Sequence, residues 1–306
     1  MEAVVNSRRD SVSKVCLLVI FNNRFEKNLD KLRAIYRDRF SHVYFLMPFY
    51  QGNAPDVLSV WDNSYRFHAF FAQAYERFAG DYDHYFAVAD DILLNPAINE
   101  DNLAEYFGLL PGQSMCCAFE PLAKTATWPY RQIFNSLHAF EDARMCSWRT
   151  ELPPLEKALE RAAAYGADDL TIEKNFTKNK YWRKENLEYY WRYPKHTLKL
   201  FRHALKLPYP MVYGYSDFFI VHGSAMREFC RLAGILGAMD VHVETATPTA
   251  MMLACDSLKT YGTVDILHGK QNGDKLPEGD TITEKLAHWD ASVDFIHPVK
   301  LSGLEL

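Results

Sequence analysis

The chain opens its hydrophobic pattern with a continuous apolar run, VCLLVIF over residues 15–21. A short run without polar alternation predicts a parallel strand buried on both faces. It breaks at Asn22-Asn23-Arg24, after which Phe25, Leu29, Leu32, Ile35 and Tyr36 recur at helical spacing with charges between them. Residues 42–48 (HVYFLMP) predict a second strand, stopped by Pro48 and by the polar Gln51-Gly52-Asn53. Strand, amphipathic helix, strand is a βαβ unit with a right-handed crossover. Ligands of open α/β sheets sit beyond the carboxyl ends of the strands, which puts Asn22, Asn23, Arg24, Phe49 and Tyr50 on one rim. A helix over about 65–78 leads through Gly80-Asp81 into residues 85–95, YFAVADDILLN. There one apolar run enters the adjacent carboxylates Asp90 and Asp91, and a second leaves them.

Further strands are predicted over 113–119 and 211–221, and helices from Gly223-Ser224 (through Ala225, Phe229 and Leu232) and from 243–248 (with Ala250, Met251, Leu253 and Ala254). Apolar segments at 264–269 and 293–300 close the pattern, and no internal repeat interrupts it. Between 121 and 208 the character changes. Pro153-Pro154 opens a helical stretch over 155–165, and residues 174–206 carry ten cations, Lys174 to Lys206, against only Glu185 and Glu188. The expectation is a single α/β domain over 1–306, a mostly parallel central sheet flanked by helices, with a helical basic and aromatic insertion at 121–208. That segment has three readings: a solvated helix pair packing Trp182, Tyr189, Tyr190 and Trp191 on the body; an acceptor site suited to sugars and acidic glycans; or a membrane-surface patch. A lipid-linked acceptor would unite the last two.

Composition narrows the classes. With 48% hydrophobic and 24% charged residues, the chain reads as an ordinary folded protein. Its net charge of −5 argues against nucleic acid as a partner. Six cysteines without CxxC or zinc spacing predict reduced thiols, and no signal peptide or membrane-spanning run is seen. The expected location is cytoplasmic, with peripheral attachment to the inner face of a membrane left open. Neither GxGxxG nor a P-loop follows the first strand, and Ser224 in HGSAM lacks the second glycine of a nucleophile elbow. No carboxylate stands out as the nucleophile of a retaining displacement, so inversion is preferred.

The bland account of Asp90 and Asp91 is a strand end with solvated aspartates, or a helix cap. Their apolar flanks favour another: buried carboxylates need compensation, and a hard divalent cation with bound phosphates supplies it. Strand–helix–strand, a mid-chain acidic pair, a later glycine-preceded strand with an acidic helix start, and a C-terminal histidine together resemble the glycosyltransferases of the GT-A architecture. The resemblance covers most of the chain outside the insertion. It implies a DxD-type motif at Ala89-Asp90-Asp91, with alanine at the first acidic position. Asp91 would then be a ligand of Mn2+ or Mg2+, and Asp90 a ligand of the ribose or sugar of a nucleotide-sugar donor. It further implies Glu244 as the base that deprotonates the acceptor hydroxyl, with Asp217 as its rival. His297 would close the metal site, Lys300 would hold the diphosphate, and Asn22, Arg24 and Tyr50 would lie near the nucleotide. Taken alone, Glu244 is a helix N-terminal glutamate, Asp217 a strand end, and His297 a structural histidine beside Pro298. His268 and His242 are substitutes for His297. The expected activity is transfer of a sugar to a hydroxyl of a glycan or glycolipid. The alternatives are a related nucleotidyltransferase, which lacks its usual glycine-rich basic loop here, and a non-catalytic carbohydrate- or membrane-binding scaffold.

Overall fold

A computed structural model describes residues 14–125, 129–141, 146–172, 188, 190–202, 205–260, 272–273 and 276–306. The strands are β1 Val15–Ile20, β2 His42–Pro48, β3 Val57–Val60, β4 His84–Ala89, β5 Leu93–Leu94 and β6 Gln113–Cys116. They continue with β7 Phe119–Pro121, β8 Val212–Gly214, β9 Phe218–His222, β10 Ser257–Thr260, β11 Asn272–Gly273 and β12 Phe295–Ile296. Seven of them form the central sheet in the order β10-β6-β9-β4-β1-β2-β3. Every neighbouring pair is parallel except those of β9, which runs antiparallel to β4 and β6. β1 and β4 are buried along their whole length, as a strand covered on both faces requires.

Helix Leu29–Tyr36 buries Leu29, Leu32, Ile35 and Tyr36 at the predicted spacing. Phe25 is exposed and precedes a 3-10 turn, Glu26–Asn28. The helix expected over 65–78 is divided into a 3-10 turn, Ser64–Arg66, capped by the Asn63 side chain, and an α-helix, His68–Phe78. That helix packs on Gly223–Ala238 at close range. A Cβ on Gly234 or Gly237 would stand 2.8 Å from the Cβ of Ala72 or Ala69, so glycine is what lets the backbones approach.

Two predicted strands are each split between sheets. The run 113–119 leaves the central sheet after Cys116 and resumes as β7, while 211–221 starts as β8 and resumes as β9. β7 and β8 pair antiparallel in their own ribbon, with Phe119 opposite Gly214. A Cβ at Gly214 would lie 2.2 Å from the Ala118 carbonyl oxygen, so only glycine permits this crossing. The segment Tyr215-Ser216-Asp217 is thereby freed from strand pairing and spans the gap. Instead of a strand over 293–300, only β12 forms; it pairs antiparallel with β5 and in parallel with β11. This brings the C-terminal segment back to the Asp90-Asp91 turn, where the Val299 N–H donates to the Asp91 carbonyl at 2.8 Å.

Within 121–208 the described helices are Pro129–Glu141, Trp148–Glu151, Leu155–Ala163 and Pro194–Arg202. Ile133, Phe134, Leu137 and Phe140 join the same buried cluster as β1 and β4. Residues 174–187 of the basic stretch, with Trp182, and the apolar segment 264–269, with His268, lie outside the described residues, as does Tyr189. All six cysteines are free. Among the described residues no helix is long and apolar enough to cross a membrane.

Candidate active site

From β1 the chain winds outward to β2 and β3, then returns to place β4 on the other side of β1. The order therefore reverses between β1 and β4, and crevices of this kind lie outside the carboxyl ends of the strands. Asn22 and Asp90 meet there. The Asp90 N–H donates to the Ile20 carbonyl at 2.8 Å, extending the parallel ladder, and the Asn22 N–H donates to Asp90 Oδ1 at 3.1 Å. Asp90 is only 4% exposed. Burial pushes its carboxyl up to about 7; the Asn22 N–H and the Asn28 side chain oppose this, while Asp91 adds to it. Asp90 thus anchors the rim backbone and points its charge into the protein.

Asp91 is the more open member of the pair, with its side chain 30% exposed. Its Oδ1 receives no directed hydrogen bond and faces His297 Nε2 at 3.4 Å. The other ring nitrogen of His297, Nδ1, stands 2.8 Å from the Tyr215 hydroxyl. Burial works to lower the His297 pKa, but the Asp91 carboxylate 3.4 Å away and the charge of Asp217 outweigh it, and the net shift is upward. Asp217 enters from the start of β9, where its carbonyl accepts the Ala89 N–H at 2.8 Å. Burial raises its carboxyl to about 6; His297 pulls it down and Asp91 pushes it up. Tyr215 is stacked on Phe295, with ring centroids 5.8 Å apart. Burial raises its hydroxyl, and Asp217, Cys117, Asp91 and Glu244 add to the effect.

Glu244 stands in the first turn of helix Val243–Ala254. His242 caps that helix: its Nδ1 accepts the Glu244 N–H at 3.3 Å. Gln132 Nε2 donates to Glu244 Oε2 at 2.7 Å, and Gln132 Oε1 accepts from the Thr245 hydroxyl at 2.8 Å, which fixes the amide's orientation. The Ser216 hydroxyl donates to the Val243 carbonyl at 3.1 Å, tying the Asp217 segment to the Glu244 helix. Burial pushes the Glu244 carboxyl up to about 7; Asp217 adds to this, and Arg131 and Gln132 work against it. His242 is held near 3, by burial first and then by Arg131 and His68, and is neutral at pH 7.

The remaining predicted residues are placed differently. Arg24 is exposed and ion-paired with Glu26. Tyr50 is buried, and its hydroxyl accepts the Ala54 N–H at 3.2 Å, closing the loop after β2. Lys300 is exposed, next to the Val299–Asp91 backbone bond. Tyr215 and Gln132 are site residues that sequence reasoning passes over. Tyr215 is hidden in an apolar run, and Gln132 lies in a segment whose composition suggests an insertion.

Among the described residues no group of three or more His, Cys, Asp or Glu side chains is arranged to hold a metal ion. Asp91 and His297 do fit as a pair. Two neighbouring ligands on one divalent ion, each about 2.1 Å from it, stand about 3 Å apart. The separation of Oδ1 and Nε2 is 3.4 Å, and Oδ1 has no directed hydrogen bond to lose.

No protein-family model matches the sequence, and no curated protein matches it. Among solved structures, the chain is similar to an active-site mutant of LgtC, with a TM-score of 0.35 and 8% identity over 92% of this chain and 86% of that one. It is likewise similar to the galactosyltransferase LgtC in complex with donor and acceptor sugar analogues, with a TM-score of 0.36 and 8% identity over 92% and 86% of the two chains.

Proposed function

We propose that this protein is a glycosyltransferase that moves a sugar from a nucleotide-sugar donor to a hydroxyl of a glycan or lipid-linked acceptor. One observation carries the proposal: at the carboxyl end of β4, Asp91 Oδ1 and His297 Nε2 face each other at 3.4 Å, beside the Asp217 segment that pairs with Ala89 and is tied through Ser216 to the helix of Glu244. Asp91 and His297 would hold a divalent cation and leave its remaining positions to water and diphosphate oxygens, the usual arrangement for a cation bound by few protein ligands. When bound, the cation supplies Lewis-acid stabilisation of the negative charge that develops on the departing diphosphate. Tyr215 orients the His297 ring through Nδ1, and Lys300 would add a mobile positive charge at the same edge.

The acceptor hydroxyl forms its bond to the anomeric carbon as the bond from that carbon to the diphosphate oxygen breaks. The hydroxyl proton passes to Glu244. A carboxyl raised to about 7 suits a base working at neutral pH, since it is both ionised in part and basic enough to take the proton. Gln132 holds Glu244 Oε2 in one orientation, and Asp217, on the segment tied to the same helix, would orient the incoming hydroxyl or the donor sugar. Asp90 fixes the Asn22 backbone, which would border the nucleotide.

The test is release of nucleoside diphosphate from a panel of nucleotide-sugars with manganese, with and without candidate acceptors. At least one donor should turn over, and Asp91→Asn should lower its rate by about 10²-fold or more. Failure of every donor, including slow hydrolysis in the absence of acceptor, would count against the proposal.

A further inference from the structure

Beside His242, the cap of the Glu244 helix, lies a cavity of about 380 Å³. Tyr65, Arg131, Arg192, Tyr193 and His242 are among its lining residues. Its size falls at the lower end of the range for small-molecule sites, enough for one sugar unit with a charged substituent.

The charges around this cavity are unevenly spent. Arg66 also lines it, but its guanidinium is committed to Asp62 at 2.8 Å and Asp240 at 2.9 Å. Arg131 and Arg192 have no carboxylate within ion-pairing distance among the described residues. Each instead lies over an aromatic face, Arg131 over Tyr65 at 5.0 Å and Arg192 over Tyr193 at 5.7 Å. Glu188 is the lining carboxylate left to set against those two cations. The floor is rigid. Asn135 Nδ2 donates to the Asp240 carbonyl at 2.9 Å, and Asn135 Oδ1 accepts the His242 N–H at 2.7 Å. Two planar cations backed by tyrosine rings form a surface with spare donors for the oxygens of an anion and apolar faces for a sugar ring.

The same wall belongs to the candidate base. His242 lines the cavity and caps the Glu244 helix, Arg131 acts electrostatically on Glu244, and its chain neighbour Gln132 holds Glu244 Oε2. Glu244 itself does not line the cavity; the two are joined through the His242 cap and the Arg131-Gln132 pair, so an acceptor seated here by one unit would reach Glu244 past that cap.

We infer that this cavity is the acceptor subsite, and that the acceptor unit it takes is an acidic sugar whose carboxylate or phosphate is bound by Arg131 and Arg192. The inference rests on the glycosyltransferase proposal for the word acceptor, but binding of the acidic sugar does not depend on turnover.

The experiment is titration calorimetry of the full chain with glucuronic acid, glucose 6-phosphate and glucose, and with inorganic phosphate alone. One of the acidic sugars should bind about tenfold or more tightly than glucose, as expected for charge-assisted hydrogen bonds; which one does so separates carboxylate from phosphate. Arg131→Gln and, independently, the exposed Arg192→Gln should each weaken that binding about tenfold while leaving the manganese-dependent stabilisation by nucleoside diphosphate in place. Equal binding of glucose and both acidic sugars, or binding that neither variant changes, would overturn the inference. Inorganic phosphate binding as tightly as glucose 6-phosphate would overturn the sugar part of it. Should acidic sugars bind through these arginines while no nucleotide stabilises the protein, the cavity would stand as an acidic-sugar site and the transferase proposal would fall.

Discussion

At its amino end β4 begins with His84, and at its carboxyl end the strand runs into Asp90. Both side chains are buried, at 6% and 4% exposure. His84 faces His222 with ring centroids 5.3 Å apart; burial, then the second histidine, lowers its pKa below the usual 6.5. A histidine meets burial by staying neutral, at no cost at pH 7. A carboxylate cannot do so without binding a proton at a pH where it would otherwise have lost it. Asp91 adjoins Asp90, and burial raises the carboxyls of Asp90, Asp217 and Glu244 to about 7, 6 and 7. The amino end is left uncharged at pH 7, because His84 is neutral there. At the carboxyl end the fold holds carboxylates with raised pKa values, which under the proposal a bound cation would compensate.

The sharpest way to break this comparison is to neutralise the carboxyl end one group at a time. Glu244→Gln keeps the shape and an acceptor oxygen for Gln132 but removes the proposed base. It should lower turnover by about 10²–10⁴-fold, and abolish the fall in rate on the acid side of about pH 7. A variant within a factor of a few of the wild type would pass the role of base to Asp217.

A smaller effect is expected from Tyr215→Phe, which touches no proposed ligand oxygen and removes only the partner of His297 Nδ1. Loss of such an orienting hydrogen bond should weaken manganese binding by about 10-fold, up to about 100-fold, with the fold unchanged. Unchanged metal affinity would mean that His297 is not a ligand.

The smallest effect is on stability, and its sign differs between the two ends. Glu244 has a folded pKa near 7 against an ordinary 4.5, so its contribution to stability declines as pH rises between those values and is level above them. Glu244→Gln, compared with wild type by urea denaturation without metal, should gain relative stability over that interval, on the order of 1–2 kcal/mol once its partial exposure to solvent is allowed for. His84 works in the opposite direction: its folded pKa is depressed, so stability is lost as pH falls below 6.5. His84→Leu should reduce that acid loss and leave turnover unchanged.

The sequence made the elements with one unambiguous period legible. The apolar run of β1 marks a strand covered on both faces, that of β2 a strand buried over its second half, and the leucine and isoleucine spacing of helix Leu29–Tyr36 marks its buried stripe. Hydrophobicity does not record which sheet a residue pairs in. For that reason the breaks at Cys117-Ala118 and Tyr215–Asp217 are invisible in the pattern, although the second of them delivers Tyr215 and Asp217 to the site. β3 and β10 are four-residue strands containing polar residues, and helix Pro129–Glu141 buries Gln132 and Ser136 among its apolar positions, which blurs its periodicity. At the site, the residue types of Asp91 and His297 were legible, and the fold sets these two 3.4 Å apart. The supports of His297 and Glu244, Tyr215 and Gln132, are defined by contacts across 82 and 112 positions of the chain, which no local signal carries. Arg24 and Tyr50 were legible as rim residues, but not their commitments to Glu26 and Ala54.

The central claim is that the carboxyl end of β4 is completed by a divalent cation together with a nucleotide. Thermal stability with a panel of nucleoside mono- and diphosphates, each with and without manganese, tests it most directly, because a ligand bound only by the folded state raises the melting temperature. One nucleoside diphosphate should raise it in the presence of manganese and not in its absence, and Asp91→Asn should remove that rise while Arg131→Gln retains it. If no nucleotide raises the melting temperature with manganese present, or if Asp91→Asn responds as the wild type does, the account of this site is contradicted.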